Sequence, residues 1–214
     1  MTVLNNNKIL ALEFLCLCIL LPGFIIWGGH GHFMFAFLWS ATLFCAIVYK
    51  FKFFKDWRTF WGFDQVNWNN LKPMLTRFTW ATIGIIIFTY FYSPERFFAL
   101  PRERPQLILA LFFIYPIISA LPQEFIFCRF FFARYKPFFG EGIKMIIASA
   151  IIFAFAHVLF VNWIAPVFSF AAGIIFAQTY AKTKSLALVT IEHGLYGNAI
   201  FIIGLGYYFY SGNI

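Results

Sequence analysis

Long apolar runs alternate along this chain with short charged stretches. Residues 9–27, 33–49, 78–92, 106–127, 146–161, 165–181 and 186–208 carry very few charges. Each run approaches the ~20 residues that a helix needs to cross bilayer hydrocarbon, the third and fifth being the shortest. The runs are continuous and show no period-two alternation, which argues against a membrane β-barrel. The pattern predicts an all-α fold, a polytopic transmembrane helical bundle of about seven spans, with residues 1–214 forming one integral membrane domain. The first run follows Lys8 and lacks a small-residue cleavage pattern, so it reads as a retained helix.

Between the second and third runs, Phe53, Phe54, Trp57, Phe60 and Trp61 recur at helical spacing among Lys52, Lys55 and Arg58. That mixture predicts an interfacial amphipathic helix. Trp27, Tyr49, Trp163 and Tyr207 fall near run ends, as an aromatic belt does. With seven spans, the lysines and arginines of residues 50–77, 134–144 and 182–184 share one side with Lys8, while Arg96, Arg102 and Arg104 lie on the other. The positive-inside rule then places the N-terminus in the cytoplasm of a cell whose plasma membrane holds the protein, and the C-terminus outside.

Composition narrows the class further. The chain is 62% hydrophobic and 11% charged, against about 25% charged for a soluble domain. The net charge of +8 is spread over span ends, where it sets topology and meets anionic lipid, so no nucleic-acid partner is predicted. Cys16, Cys18, Cys45 and Cys128 have no paired spacing for a disulfide framework or zinc and read as small hydrophobes.

Against that background the ionisable residues inside apolar runs stand out: Glu124, His157 and the pair Glu192-His193. A charged side chain at bilayer depth costs about 2.5–3.5 kcal/mol on insertion scales, so such residues face a protein interior or a wet cavity. Glu124 follows Pro122 and Gln123, and a proline in a span frees backbone carbonyls that accommodate polar groups. A carboxylate there suits a general base, or equally a structural partner for an arginine. His157 is the one titratable group of its run. Phe153 lies one turn before it on the same face, placed to wall a site, and Ala148, Ala150, Ala154 and Ala156 keep the helix slim. Glu192 and His193 point about 100° apart on a helix. Gly194 and Gly197 permit close helix contact, and Asn198 offers donors and acceptors.

Glu124, then Phe153 to His157, then His193, on three separate helices, resemble the motifs of the CPBP (CAAX protease and bacteriocin-processing) intramembrane endopeptidase family. Its pattern is E-E-x-x-x-R, then F-x-x-x-H, then H-x-x-x-N or a variant. The resemblance covers roughly residues 115–208, a CPBP-like catalytic core. In one register Glu124 takes the second Glu position, with Gln123 at the first and Cys128 at the Arg position. In the other Glu124 takes the first, with Arg129 in register and Phe125 at the second. In the third motif Gly197 stands where the family has Asn, and Asn198 comes one residue later.

The resemblance implies an intramembrane endopeptidase of the CAAX-processing type. Glu124 and His157 bind and activate a water, and His193, helped by Asn198, donates to the oxyanion. Arg129 or Gln123 orients Glu124, and Glu192 holds His193 or pairs with a cytoplasmic-side lysine. Metal-free, glutamic-type chemistry is favoured. Two His and one Glu are also an acceptable zinc set, but the paired H-E-x-x-H spacing is absent. The implied partners are the bilayer and a membrane-anchored peptide or protein substrate. The alternative is a non-catalytic bacteriocin-immunity or partner-binding membrane protein on the same scaffold. Proton-coupled transport is a third reading, which no inverted repeat supports. Glu13, in the first run, belongs to none of these motifs.

Overall fold

The computed structural model describes residues 7–209. Residues 1–6 and 210–214 lie outside the described residues, and with them the end of the chain whose side the charge pattern assigns. Among the described residues the regular structure is entirely helical. Among the described residues, seven helices are long and apolar enough to cross a membrane: span 1 (Asn7–Trp27), span 2 (Gly31–Lys52), span 3 (Trp68–Tyr92), span 4 (Gln106–Arg134), span 5 (Ile143–Phe160), span 6 (Ile164–Thr183) and span 7 (Leu186–Ile203). The protein is an all-α integral membrane bundle.

Three spans differ most from the hydropathy reading, span 7 by ending at Ile203, five residues before its apolar run does. Span 3 begins at Trp68, because Asn67 accepts from the Asn70 N–H and caps a helix that runs on through polar residues. Span 4 continues to Arg134, which would be costly in lipid but is paired through Nε and Nη2 with Glu13 of span 1, at 2.7 and 2.6 Å. Glu13 is thereby accounted for as a tie between spans 1 and 4.

The segment between spans 2 and 3 forms a shorter helix than the aromatic spacing predicts. It covers Trp57–Trp61 alone, opened by Asp56, whose carboxylate accepts from the Thr59 N–H at 2.8 Å, and closed by Gly62 in the left-handed region. The Thr59 backbone N–H and hydroxyl hold the Asp56 carboxyl below its ordinary range. Phe53 and Phe54 belong to the turn that ends span 2, not to this helix.

Span 7 is the centre of the bundle: 67% of its membrane window is buried, against 6% for span 2. Spans 5 and 6 pack closely where Gly173 meets Ala150, and a Cβ on Gly173 would lie 3.0 Å from the Ala150 Cα. The small-residue face read from span 5 is therefore a true helix contact. Span 7 stops at Gly204, at φ 127°, where any side chain would strike the Arg96 carbonyl.

Candidate functional site

Span 4 departs from regular α-helical bonding where the candidate carboxylate sits. Pro122 has no N–H for the Ile118 carbonyl, and the Trp39 indole of span 2 donates to that carbonyl instead, at 3.2 Å. A π turn, Pro116–Ala120, precedes the short α segment Leu121–Glu124, and a second, Phe125–Phe130, follows it. Single π turns inside α-helices are rare and concentrate at functional sites. Glu124 hangs between the two turns and is 1% exposed.

Its partner comes from span 7. Glu124 Oε1 accepts from His193 Nδ1 at 2.7 Å, while Glu124 Oε2 is buried without a hydrogen-bond partner among the described groups. The His193 ring stacks on Phe176 of span 6, with centroids 4.7 Å apart and planes 17° from parallel, and meets the edge of Phe153 at 5.7 Å. Its second nitrogen, Nε2, lies 3.0 Å from the Tyr115 hydroxyl. Both polar atoms of the imidazole are thus engaged from span 4.

His157 sits where the α-helix of span 5 ends, and its Nδ1 donates to the Phe153 carbonyl at 2.7 Å. A carbonyl only accepts, so Nδ1 carries the proton and the neutral ring keeps a lone pair on Nε2. Phe153, 3% exposed, touches both imidazoles, its ring centroid 4.6 Å from that of His157.

A cavity of about 980 Å³ opens beside these groups. Its polar lining includes Tyr115, Ser119, Gln123, His157 and His193, and its walls are largely apolar side chains of spans 1, 2, 4, 5, 6 and 7. Glu124 is not on the lining, though its neighbours Gln123 and His193 are.

The supporting residues divide. Gln123 lines the cavity but donates to Ser119 at 2.9 Å, not to Glu124. Arg129 does not orient Glu124 either. Its guanidinium donates to the Thr59 carbonyl at 2.8 Å and to the Tyr180 hydroxyl and Lys184 carbonyl at 3.2 Å, pinning the Trp57–Trp61 helix to spans 4 and 6. The buried acceptors nearest a guanidinium decide where it goes, and here they are carbonyls left free at helix ends. Glu192 neither holds His193 nor pairs with a lysine. It forms an ion pair with Arg77 of span 3 at 2.6 Å and accepts from Thr179 at 2.5 Å. Asn198 donates to Gly194 of its own helix at 2.8 Å and is not on the cavity lining, where Gly197 stands instead. The one-residue displacement of the amide rotates it off the site.

Tyr115 was missed. The signals for it were the hydroxyl in an otherwise apolar run just before Pro116, and the Gly194/Gly197 pair, which makes room for something on span 4. A Cβ on Gly194 would lie 3.1 Å from the Pro116 ring, and one on Gly197 would enter the Tyr115 ring.

As a zinc site the donors do not fit. Among the described residues no three His, Cys, Asp or Glu side chains are grouped so as to hold a metal ion. Glu124 and His193 bond one another, and His157 Nδ1 is turned to its own helix.

Comparison with curated proteins and with solved structures found no match. A family model does match. It spans residues 105–199, which include Tyr115, Glu124, His157 and His193. That stretch, which holds the whole candidate site, matches the Rce1-like family, described as type II CAAX prenyl endopeptidase Rce1-like, and bears out the CPBP resemblance carried by Glu124, His157 and His193.

Proposed function

We propose that the protein is an intramembrane endopeptidase of the CAAX-processing type, in which Glu124 activates a water for attack on a peptide bond. The observation that carries this reading is the 2.7 Å hydrogen bond between Glu124 and His193, made inside the bundle at the wall of a large cavity. Such a pair is costly to bury.

Water offers two O–H donors, and the site holds two acceptors, Glu124 Oε2 and His157 Nε2. The water oxygen attacks the scissile carbonyl carbon while Glu124 takes a water proton. The carbonyl π pair moves to its oxygen, giving the tetrahedral oxyanion. Collapse of that intermediate breaks the C–N bond, and Glu124 returns its proton to the leaving nitrogen. Acid and amine are released and the carboxylate is restored. His193, whose Nδ1 bonds Glu124, holds the base in place in this scheme instead of donating directly to the oxyanion. The substrate class is a membrane-anchored peptide or protein whose apolar part is taken from the bilayer into the cavity.

The test is cleavage of a prenylated C-terminal peptide by the purified protein in liposomes. Glu124→Gln keeps the shape of the site and removes the base, and His157→Ala removes the second acceptor. Each abolishes cleavage with unchanged thermal unfolding. Cleavage retained in both variants overturns the reading. Arg129 and Asn198 serve the scaffold and not the site, which favours the non-catalytic partner-binding alternative as the second reading. Bacteriocin protection that persists in the Glu124→Gln protein supports that alternative.

A further inference from the structure

We infer that Tyr115 is a positioning residue that fixes the tautomer of His193 and so keeps Glu124 available as a base. This rests on the proposed reaction for its kinetic consequence and on geometry alone for its structural one.

Span 4 reaches both nitrogens of one imidazole on span 7. Tyr115 meets Nε2 at 3.0 Å, and Glu124 meets Nδ1 at 2.7 Å. In an uninterrupted α-helix, residues nine apart are turned by about 900°, which leaves them on opposite faces. The π turn Pro116–Ala120 lies between them. One extra residue in that turn takes up about 100° and brings Tyr115 and Glu124 to within about 80° of one another. Gly197 then provides the seat for the Tyr115 ring, since any side chain there would occupy the ring's position. Phe201 closes on the same ring edge-on, with centroids 5.7 Å apart. The hydroxyl is therefore held on Nε2 by backbone shape and packing.

The hydrogen logic follows. A carboxylate only accepts, so the bond to Glu124 requires a proton on Nδ1. A neutral imidazole then has a bare Nε2 that must accept, and the Tyr115 hydroxyl is the donor placed on it. The chain runs in one direction, from Tyr115 O–H to His193 Nε2 and from Nδ1–H to Glu124 Oε1, leaving Oε2 for water. Without the hydroxyl, Nε2 stands unpaired against Phe176 and Phe153. The tautomer with its proton on Nε2 then competes, and it has no Nδ1–H with which to hold Glu124.

The experiment is 15N spectroscopy of histidine-labelled protein in lipid nanodiscs at neutral pH, with the His193 signals among the four histidines assigned by His193→Gln. The wild type is expected to show one neutral tautomer protonated at Nδ1. Tyr115→Phe keeps the ring over Gly197, and His193 shifts toward a tautomer mixture. In the liposome cleavage assay kcat falls roughly 10- to 100-fold while KM stays within about twofold. A wild-type His193 that is doubly protonated, or bare at Nδ1, overturns the inference whether or not the variant folds. So does a Tyr115→Phe spectrum identical to wild type, or a variant that changes KM alone, since Tyr115 is then only a wall of the cavity. The spectrum is read without turnover, so failure of the inference is distinguishable from failure of the proposed function, which rests on Glu124→Gln and His157→Ala.

Discussion

Arg77 of span 3 and Glu192 of span 7 form a 2.6 Å ion pair in which the carboxylate is wholly buried and the guanidinium side chain is 36% exposed. Thr179 of span 6 donates to the second carboxylate oxygen, so three spans are tied at the residue next to His193. Arg77→Ala leaves a buried carboxylate without its cation and is expected to cost about 2 kcal/mol, less than a fully buried pair because Arg77 is partly exposed. Glu192→Gln keeps hydrogen-bonding capacity toward Thr179 and costs less, about 1 kcal/mol. Thermal unfolding in detergent ranks the two. Equal stability of Arg77→Ala and wild type rules out this pair as the clamp on span 7.

Metal dependence follows from the way the donors are spent. Glu124 and His193 are bonded to each other and His157 donates to Phe153, so the three do not present a common set of free donors. Exhaustive chelation is expected to leave cleavage unchanged. Loss of activity that zinc restores would mean that the site rearranges around a metal, and would reject the water-activation scheme.

The bundle was legible because hydrocarbon imposes a strong and simple pattern: seven apolar runs became seven spans, with the main errors where a cap at Asn67 or an ion pair at Arg134 carried a helix past its apolar stretch and where Gly204 ended span 7 before its run did. The Glu124, His157 and His193 positions were legible because ionisable groups in apolar runs require a reason. Their polar partners were not. Arg129 and Glu192 each have several acceptors or cations within the bundle to choose from, and sequence order does not rank them. Tyr115 was hidden by the π turn between it and Glu124. Helical periodicity puts the two residues on opposite faces, and only the inserted turn brings them together.

Arg129 offers a test of how far the site depends on its anchor to the Trp57–Trp61 helix. Its guanidinium reaches the Thr59 carbonyl, the Tyr180 hydroxyl and the Lys184 carbonyl at once and lies 5.3 Å from the Tyr49 ring. A lysine has no planar fork to span those acceptors. Arg129→Lys and Arg129→Ala are both expected to raise hydrogen exchange at the Trp57–Trp61 helix, with cleavage reduced far less than by Glu124→Gln. Abolished cleavage with unchanged exchange would move Arg129 from the scaffold to the site.

Gly197 and Gly194 are one turn apart on span 7 and face the same stretch of span 4, yet substitution at the two should have different consequences. A Cβ on Gly194 meets carbons of the Pro116 ring at 3.1 and 3.2 Å, a crowding that a few tenths of an ångström relieves. A Cβ on Gly197 takes the place of the Tyr115 ring itself. Gly197→Ala must therefore move Tyr115 off His193, whereas Gly194→Ala leaves the Tyr115–His193 bond standing. Overpacking of this kind costs about 1–3 kcal/mol, so both proteins remain folded if the wild type has ordinary stability. The expected result is that Gly197→Ala reproduces the catalytic loss of Tyr115→Phe although the hydroxyl is still present, and that Gly194→Ala retains most activity. Steady-state cleavage by the three variants in one lipid composition decides it. If Gly194→Ala is the more damaging change, the contact of span 7 with Pro116 governs the site more than the seat of Tyr115, because the same helix pair is then failing by displacement and not by loss of one hydrogen bond.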